Sequence, residues 1–335
     1  MVKSLIVHIG MPKAGSTAIQ RFLDDNTTPL AAFGIAFVKA GRGRQPIQHA
    51  ALHTRGLNLL SDSPISDTKR ALVAEQWEQV KAEIIAGSAS TYVVSMEGLY
   101  PTLINDSAIY RSWFYELRQH CEVKICVYLR RQDLWVESLF SQFSKGDHPS
   151  RASHDIIDMW HKLDDKGYLN YDHNLSQLST LDTDQIIVRP FETVQLVGGD
   201  VATDFMNVLG VQDLSTFSNS LKANVAFPRG DTIFLHTSKR LGLHPEAREL
   251  VLNNQSPFAV PEQPRYILAP IERVQLLAPY QAGNNRIAHE YLGHNRLFLA
   301  NPNSEEDPYW SPPISPTPEE VKDRLGLHYL SDRLP

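Results

Sequence analysis

Short runs of apolar and β-branched residues recur along the chain, and each lies near a segment whose apolar residues have helical spacing. The runs are Leu5–Ile9, Tyr92–Met96, Val123–Leu129 and Ile186–Val188. Alternating strands and helices are typical of an α/β domain with a largely parallel sheet. The third run is apolar on both faces after Lys124, as expected for a central strand between two layers of helices. We therefore predict a three-layer α/β fold with a central, mostly parallel sheet.

Helical spacing of apolar residues predicts the helices. They cover Ser16–Asp24, Lys69–Ala86, Asp106–His120, Asp133–Lys145, His154–Leu163, Gly199–Leu209 and Arg229–Leu241. From about residue 254 prolines interrupt the pattern, and Ser311–Pro316 predicts an extended connector before a final helix that begins near Thr317. No repeat or strong linker divides the chain. We predict a single domain over residues 1–335, with a core of about 1–245 and a helical, proline-punctuated C-terminal extension of about 246–335.

Composition narrows the possible partners. The 335 residues are 42% hydrophobic and carry a formal net charge of −6, which leaves no cationic excess for a nucleic acid or an anionic membrane. The apolar stretch before Gly10 is too short for a signal sequence or a membrane span. Cys121 and Cys126 flank one strand and should point to opposite faces, which disfavours a disulfide. These features predict a globular cytoplasmic protein that binds neither nucleic acid nor membrane.

The strongest local signal is a strand that enters a glycine-bounded loop and then a helix, written Ile6-Val7-His8-Ile9-Gly10-Met11-Pro12-Lys13-Ala14-Gly15-Ser16-Thr17. Loop amides and the exposed N–H groups of a helix start converge on an anion, and the helix dipole adds positive charge there. A Walker A loop has its lysine directly after the second glycine. Ser16 takes that position here, and the lysine lies inside the loop as Lys13. The loop predicts phosphate binding and argues against ATP hydrolysis.

This loop resembles the 5′-phosphosulfate-binding loop of sulfotransferases that use 3′-phosphoadenosine 5′-phosphosulfate (PAPS), whose pattern is Pro-Lys-x-Gly-[Ser/Thr]-[Ser/Thr]. Every defined position is matched by the run Pro12, Lys13, Ala14, Gly15, Ser16 and Thr17. The resemblance implies a P-loop-like fold, PAPS as donor and 3′-phosphoadenosine 5′-phosphate (PAP) as product, without a required metal. It also implies that Lys13 stabilises charge on the sulfuryl group and on the departing 5′-phosphate. A tight turn that needs Gly and Pro for geometry alone is the alternative.

A second element resembles the family's 3′-phosphate motif, in which a serine follows an arginine by eight residues. Arg130 directly follows the run Val123–Leu129, and Ser138 stands at that separation on the next predicted helix. A guanidinium at the carboxyl edge of a parallel sheet is well placed for a phosphate. The chain departs from the motif at Gln132, where relatives commonly have proline, and Arg131 leaves open which arginine binds. A surface ion pair with a nearby carboxylate is the alternative for Arg130.

The resemblance extends in order over about residues 4–245. It places Phe191 in an aromatic position near the adenine, although packing in the core explains an aromatic there equally well. Arg229, in an Arg-Gly pair, corresponds more loosely to a further 3′-phosphate ligand.

A hydroxyl acceptor needs a base, and Glu97 is our candidate. It follows the strand that ends at Met96, so it should project from the same sheet edge as the phosphate loop, and many relatives have a histidine or glutamate after this strand as the base. Burial or a neighbouring carboxylate would have to raise its pKa. A capping role is the alternative. His8, His49 and His53 are competing bases.

The histidines also have interpretations other than that of a base. His8 lies inside the first strand and is predicted to be structural, whereas His49 and His53 lie in a polar segment that could line the acceptor site. Their spacing is that of a metal pair, but no third ligand or intervening glutamate accompanies them, so no metal site is predicted.

Taken together with these patterns, the resemblance implies a sulfotransferase that moves a sulfuryl group from PAPS to a hydroxyl or amine, with a glycan as the first guess for the acceptor. The alternatives are an atypical P-loop kinase or NTPase, which predicts magnesium dependence, and a non-catalytic nucleotide-binding protein, to which Glu97 would contribute nothing. The acceptor and the oligomeric state cannot be read from these motifs.

Overall fold

A computed structural model of the chain describes residues 2–42, 47–54, 59–60, 65–146, 155–218, 228–253, 265–302, 307 and 309–326. The strands are β1 (Ser4–His8), β2 (Ile35–Phe37), β3 (Thr91–Ser95), β4 (Glu122–Leu129) and β5 (Gln185–Pro190). They form one five-stranded sheet in the order β2-β3-β1-β4-β5, and every neighbouring pair is parallel. The predicted α/β class with a parallel sheet is confirmed.

Helices fill most of the chain between and after the strands. In chain order they are α1 (Ser16–Asp25), α2 (Thr27–Ala32), α3 (Asp67–Ala86), α4 (Leu99–Asn105), α5 (Ser107–Arg118), α6 (Gln132–Lys145), α7 (Ile156–Asp165), α8 (Tyr171–Ser179), α9 (Val201–Val208), α10 (Arg229–Arg240), α11 (His244–Leu252), α12 (Pro270–Leu277), α13 (Gln281–Ile287) and α14 (Pro318–Arg324). Short 3₁₀ or π turns lie at Ala50–Leu52, Val197–Gly199, Ala278–Tyr280 and Ala288–Leu292. The predicted helix start at His154 lies outside the described residues.

Side-chain caps explain several of the helix starts. The Ser66 side chain accepts the Lys69 N–H at the start of α3, and Asp200 accepts the Thr203 N–H at the start of α9. Such caps satisfy N–H groups that have no partner inside the helix. Helix α1 differs, because its N-cap is Gly15 and no side chain of the described residues caps it.

Strands β1, β3 and β4 are buried on both faces, which explains why their sequences lack a polar alternation. In β1 and β3 every residue after the first is buried, and in β4 every residue after Lys124 is buried. Backbone hydrogen bonds of the sheet fix the register, so that His8 at the end of β1 lies between Ser95 of β3 and Cys126 of β4. Residues that follow these three strands therefore leave the sheet from one edge.

The chain divides into two compact units. The first comprises Met1–Arg131, Leu163–Lys222 and Tyr280–Leu299 and contains the sheet. The second comprises Gln132–Lys162, Ala223–Pro279 and Ala300–Pro335 and is helical where it is described. The predicted boundary near residue 245 falls within the second unit, on α11.

The second unit has its own apolar core. Phe234 and Leu235 of α10 pack with Ala247 and Val251 of α11 and with Val321 of α14. The Thr317 side chain caps α14 by accepting the Glu320 N–H, as expected for the predicted final helix near that residue.

Cys121 and Cys126 are both buried and free. Among the described residues, none of the helices combines the length and the apolar character that a membrane crossing requires.

Candidate functional site

The candidate site lies at the carboxyl edge of the sheet, where β1, β3 and β4 end side by side. From β1 the chain continues toward β2 at one side of the sheet, and from β4 it continues to β5 at the other side. Neighbouring parallel strands whose connections depart in opposite directions leave a crevice, and open α/β sheets bind ligands there. Gly10, Glu97 and Arg130 follow these three strand ends.

The loop between β1 and α1 has an unusual backbone. Gly10 has a φ of 42°, Lys13 of 65° and Gly15 of 83°. Lys13 is the one non-glycine residue with positive φ in the part of the chain that the structure describes. For a residue with a Cβ this conformation costs roughly 1–3 kcal/mol and tends to occur at functional sites. A Cβ on Gly10 would lie 2.6 Å from Ser16 Oγ and 3.3 Å from Glu97 Cα, so the loop requires glycine there.

Three donors at the start of α1 have no acceptor among the residues that the structure describes. Within the described ranges no acceptor is found for the N–H groups of Ser16 or Thr17, and no side chain caps the helix. The Ser16 side chain is 1% exposed, and its Oγ also has no hydrogen-bond partner among those residues. Buried donors without partners at an uncapped helix start suit an anion, because the helix dipole and the N–H groups both favour negative charge.

Lys13, Glu97 and Arg130 form a charged cluster at this loop. Burial lowers the pKa of Lys13, the carboxylate of Glu97 opposes that shift, and Arg130 lowers the pKa further. Burial raises the pKa of Glu97, and the Lys13 ammonium partly counteracts the increase. The structure thus brings together the predicted base and two of the predicted anion-binding cations, which lie far apart in the sequence.

Arg130 contacts the loop directly. Its Nη1 donates to the Lys13 carbonyl oxygen at 2.7 Å, and its guanidinium lies over the Phe191 ring, with Cζ 5.7 Å from the ring centroid. Phe191 follows β5 and packs against the loop, since a Cβ on Gly15 would lie 2.8 Å from Phe191 Cε2. Arg131 is 3% exposed. Of the two adjacent arginines, Arg130 is therefore the one placed at the loop, and Phe191 contacts both the loop and Arg130.

Ser138 and Arg229 belong to the second unit, where Ser138 is partly buried on α6. Ser141 Oγ, one turn after Ser138, lies 3.1 Å from Thr232 Oγ1 of α10. Arg229, at the start of α10, donates from Nη1 to the carbonyl oxygens of Tyr266 at 3.1 Å and Ser311 at 2.7 Å. Burial lowers the pKa of this arginine. The predicted 3′-phosphate roles of Ser138 and Arg229 stay predictions.

His49 is part of the framework beneath the site. Its ring is fully buried; Nδ1 accepts the Ser95 N–H at 3.1 Å, and Nε2 lies 2.8 Å from the Val38 carbonyl oxygen. Burial lowers its pKa to about 4. Because both nitrogens of a neutral ring are used in these bonds, neither is left for an acceptor, and the structure does not support the predicted acceptor-site role of His49.

His53 lies beside the candidate base. A Cβ on Gly98 would lie 2.8 Å from His53 Cδ2, so the imidazole packs directly against the residue after Glu97. Burial, and then the charge of Lys69, lower the pKa of His53 to about 4. A neutral imidazole at this position is compatible with the predicted acceptor-lining role, which stays a prediction.

His8 is buried at the end of β1 and bonds to the neighbouring strand, and its predicted structural role stays a prediction. Its Nδ1 lies 2.7 Å from Ser95 Oγ, which also accepts from Gln20 Nε2 at 3.1 Å. Burial lowers the pKa of His8 to about 3. These bonds tie β1, β3 and α1 together below the loop.

Tyr171 is the residue of the site that the sequence did not reveal. This first residue of α8 is 1% exposed, and its hydroxyl donates to the Arg130 carbonyl oxygen at 2.6 Å. No motif or spacing marks it, because its contact with Arg130 arises only when α8 packs beside the end of β4. A tyrosine in an amphipathic segment is otherwise assigned to the core.

Comparison with known proteins leaves the family open. The chain is 27% identical over 238 residues to an uncharacterized protein of Archaeoglobus fulgidus, and the match covers 69% of this chain and 61% of that relative. The chain therefore matches less than two thirds of the relative's length. No family model and no solved structure matches the chain.

Proposed function

We propose that this protein is a PAPS-dependent sulfotransferase with a P-loop-like donor site. The observation that carries the proposal is the cluster of Lys13, Glu97 and Arg130 around a loop whose helix start has buried donors without a partner among the described residues. A cationic loop beside a carboxylate of raised pKa supplies both functions that sulfuryl transfer needs: charge stabilisation on the donor and a base for the acceptor.

The position of Lys13 favours a donor with one phosphoryl group in the loop over a triphosphate. The lysine lies inside the loop, whereas the lysine of a Walker A loop begins the helix and reaches the β- and γ-phosphates. The loop amides and Ser16 would bind the 5′-phosphate, and Lys13 would lie beside the sulfuryl group.

In the proposed reaction an acceptor hydroxyl oxygen attacks the sulfur atom in line with the bond to the 5′-phosphate oxygen. The acceptor O–S bond forms while the S–O bond to the phosphate breaks, and both electrons of the broken bond leave with PAP. Glu97 takes the acceptor proton and becomes a carboxylic acid. Lys13 and the loop donors stabilise the negative charge that grows on the leaving phosphate. An amine acceptor would follow the same steps.

Acceptor screening with PAPS tests this proposal. We would measure PAP release in EDTA with sets of glycans, phenols and amines, glycans being the first guess. The wild-type protein should release PAP in the presence of one acceptor class, and Glu97→Gln should lower turnover by about 10²–10⁴-fold while it keeps PAP affinity. Glu75→Gln, an exposed glutamate on α3, is the matched control and should be unchanged.

Two outcomes would contradict the proposal in different ways. If Glu97→Gln kept full turnover, the assignment of the base would be wrong. If the protein released no PAP but hydrolysed ATP or transferred its phosphate with magnesium, it would be an atypical P-loop kinase or NTPase. PAP binding without turnover across all acceptor classes would favour a nucleotide-binding protein.

A further inference from the structure

The contact between Arg130 and the loop holds a strained segment. Lys13 is in the left-handed region, and its carbonyl oxygen accepts from Arg130 Nη1 at 2.7 Å. The two residues are 117 positions apart, so the bond is made only in the folded protein. A hydrogen bond from a charged donor is stronger than one between neutral groups, and this bond ends on the residue whose backbone is strained.

The backbone and the side chain of Arg130 are each held by a neighbouring residue. The Tyr171 hydroxyl donates to the Arg130 carbonyl oxygen at 2.6 Å, and Tyr171 is 1% exposed on α8. The Phe191 ring lies against the guanidinium and against Gly15 of the loop. The arginine is therefore held through its backbone and its side chain, in a geometry that a flexible lysine would not reproduce.

We propose that Arg130 is a positioning residue for Lys13 and that Tyr171 acts through Arg130, so that these three residues form a clamp that preorganises the loop before a nucleotide binds. That a nucleotide binds at this loop rests on the proposed function. The contacts that form the clamp are present in the protein without a ligand. Arg130 then contributes to the binding of a 5′-phosphate that it need not touch, in addition to its predicted role at the 3′-phosphate. The clamp lies wholly within the first unit.

A nucleotide without a 3′-phosphate separates the two roles of Arg130. We would titrate the wild type, Arg130→Ala and Tyr171→Phe with PAP and with adenosine 5′-monophosphate, using displacement calorimetry for weak binding. The clamp predicts that both variants lose affinity for adenosine 5′-monophosphate, by about tenfold for Arg130→Ala and about fivefold for Tyr171→Phe. If both variants bound adenosine 5′-monophosphate as the wild type does, while Arg130→Ala lost PAP affinity, Arg130 would act on the 3′-phosphate alone and the clamp would be refuted.

A double-variant cycle tests whether Tyr171 acts through Arg130. Tyr171→Phe should weaken adenosine 5′-monophosphate binding in the wild type and have no further effect in the Arg130→Ala background. Additive losses would show that Tyr171 acts independently and would overturn its place in the clamp. Tyr168→Phe is the matched control, because the Tyr168 hydroxyl accepts from Asn105 Nδ2 at 3.0 Å and its loss should leave affinity unchanged.

Hydrogen exchange of the ligand-free protein tests the clamp without any nucleotide. The Ala14 N–H donates to the Met11 carbonyl oxygen at 3.1 Å, and the Ala18 N–H to that of Gly15 at 2.9 Å. Exchange at these amides should become severalfold faster in Tyr171→Phe and in Arg130→Ala, but not in Tyr168→Phe. Unchanged exchange in both clamp variants would refute the clamp. If the wild type bound neither nucleotide, the proposed function would fail. Hydrogen exchange would still show whether Arg130 and Tyr171 hold the loop in the protein without a ligand.

Discussion

The surroundings of Glu97 shift the pKa of its carboxyl group. Burial raises its pKa, and the nearby Lys13 ammonium limits the increase. A base works only when it is deprotonated, so the rate should rise with pH as this carboxyl loses its proton. We predict an acidic limb in the pH profile of kcat/KM, with its midpoint above the usual range of a glutamate.

The limb should depend on Lys13, whose charge favours the ionised carboxylate. Lys13→Met removes that charge, so the midpoint of the limb should move to higher pH even where the maximal rate is low. The exposed Lys39 provides the control, and Lys39→Met should leave the midpoint in place. A midpoint that stays fixed in Lys13→Met would show that the limb belongs to another group.

The buried hydroxyl of Ser16 should reduce the stability of the protein when no ligand is bound. Its buried Oγ has no hydrogen-bond partner in the described part of the chain, and leaving such a group unsatisfied costs about 1–3 kcal/mol. Ser16→Ala should therefore raise the free energy of unfolding of the ligand-free protein by about 1 kcal/mol and weaken PAP binding by about tenfold. Denaturant unfolding and calorimetry measure the two effects.

Ser238 is the matched control for this prediction. It is also fully buried, but its Oγ donates to the Phe234 carbonyl oxygen at 2.7 Å. Ser238→Ala should lower stability and leave PAP affinity unchanged. A loss of stability in Ser16→Ala similar to that in Ser238→Ala would mean that the Ser16 hydroxyl is satisfied in the ligand-free protein.

At the scale of elements, the junction between the loop and α1 depends on Gly15. Its φ is 83°, and a Cβ there would lie 2.8 Å from Phe191 Cε2 and 2.9 Å from Val201 Cγ1. Gly15→Ala combines backbone strain with overlap, so we predict a loss of several kcal/mol in the free energy of unfolding. Gly210 has a φ of 81° with no heavy atom of the described residues within 4 Å of such a Cβ, and Gly210→Ala should show the strain alone. Equal losses in the two variants would show that close packing by Phe191 adds nothing to the cost.

Glu137, a titratable residue of α6, is hydrogen-bonded to the backbone of the segment before α12. Glu137 Oε1 accepts the N–H groups of Ile267 at 2.9 Å and Leu268 at 2.8 Å, within the second unit. Burial raises its pKa to about 7, although both backbone bonds and the charge of Arg273 oppose the increase. Asp133 adds to the increase, and Arg229 is a further charged neighbour.

This raised pKa predicts how the stability of the second unit varies with pH. The pKa of Glu137 is near 4.5 in the unfolded chain and about 7 in the folded protein. Between these two pH values the folded state binds more protons than the unfolded state, so the free energy of unfolding falls as pH rises through this range. The loss is on the order of 3 kcal/mol. Glu137→Gln should abolish most of this dependence, which denaturant unfolding at pH 5 and pH 7.5 would show. The same pH dependence in wild type and Glu137→Gln would contradict the prediction.

The sequence predicted the long elements well and the short ones poorly. Strands β1, β3, β4 and β5 follow apolar runs, and in β1, β3 and β4 burial on two faces requires such runs. Strand β2 has three residues, Ile35–Phe37, and lies at the edge of the described sheet beside β3, so it leaves too short a pattern to detect. Helices α4 and α8 were also missed, because α4 is short and α8 is polar along much of its length.

At the scale of the whole molecule, the parallel sheet explains how much of the site could be predicted. Lys13, Glu97 and Arg130 are distant in sequence, but each follows a strand, and parallel strands place their carboxyl ends at one edge. Strand patterns were therefore enough to group these three residues. Tyr171 and the bonds of His49 depend on side-chain packing between segments, which periodicity does not encode.

The division into two units could not be read from the sequence for a related reason. The first unit is assembled from Met1–Arg131, Leu163–Lys222 and Tyr280–Leu299, and the second from the segments between and after them. The chain passes between the units directly after Arg130 and Arg131, inside a continuous pattern of strand and helix. No linker composition marks such a crossing, because it is an ordinary strand-to-helix junction.

The measurement that tests the proposed donor site most directly is calorimetric titration of the full chain with PAP in EDTA, alongside adenosine 5′-monophosphate and magnesium-ATP. We expect micromolar or tighter binding of PAP without metal, much weaker binding of adenosine 5′-monophosphate, and loss of PAP binding in Lys13→Ala but not in Lys39→Ala. Binding of magnesium-ATP in preference to PAP, or full PAP affinity in Lys13→Ala, would contradict the proposed donor site.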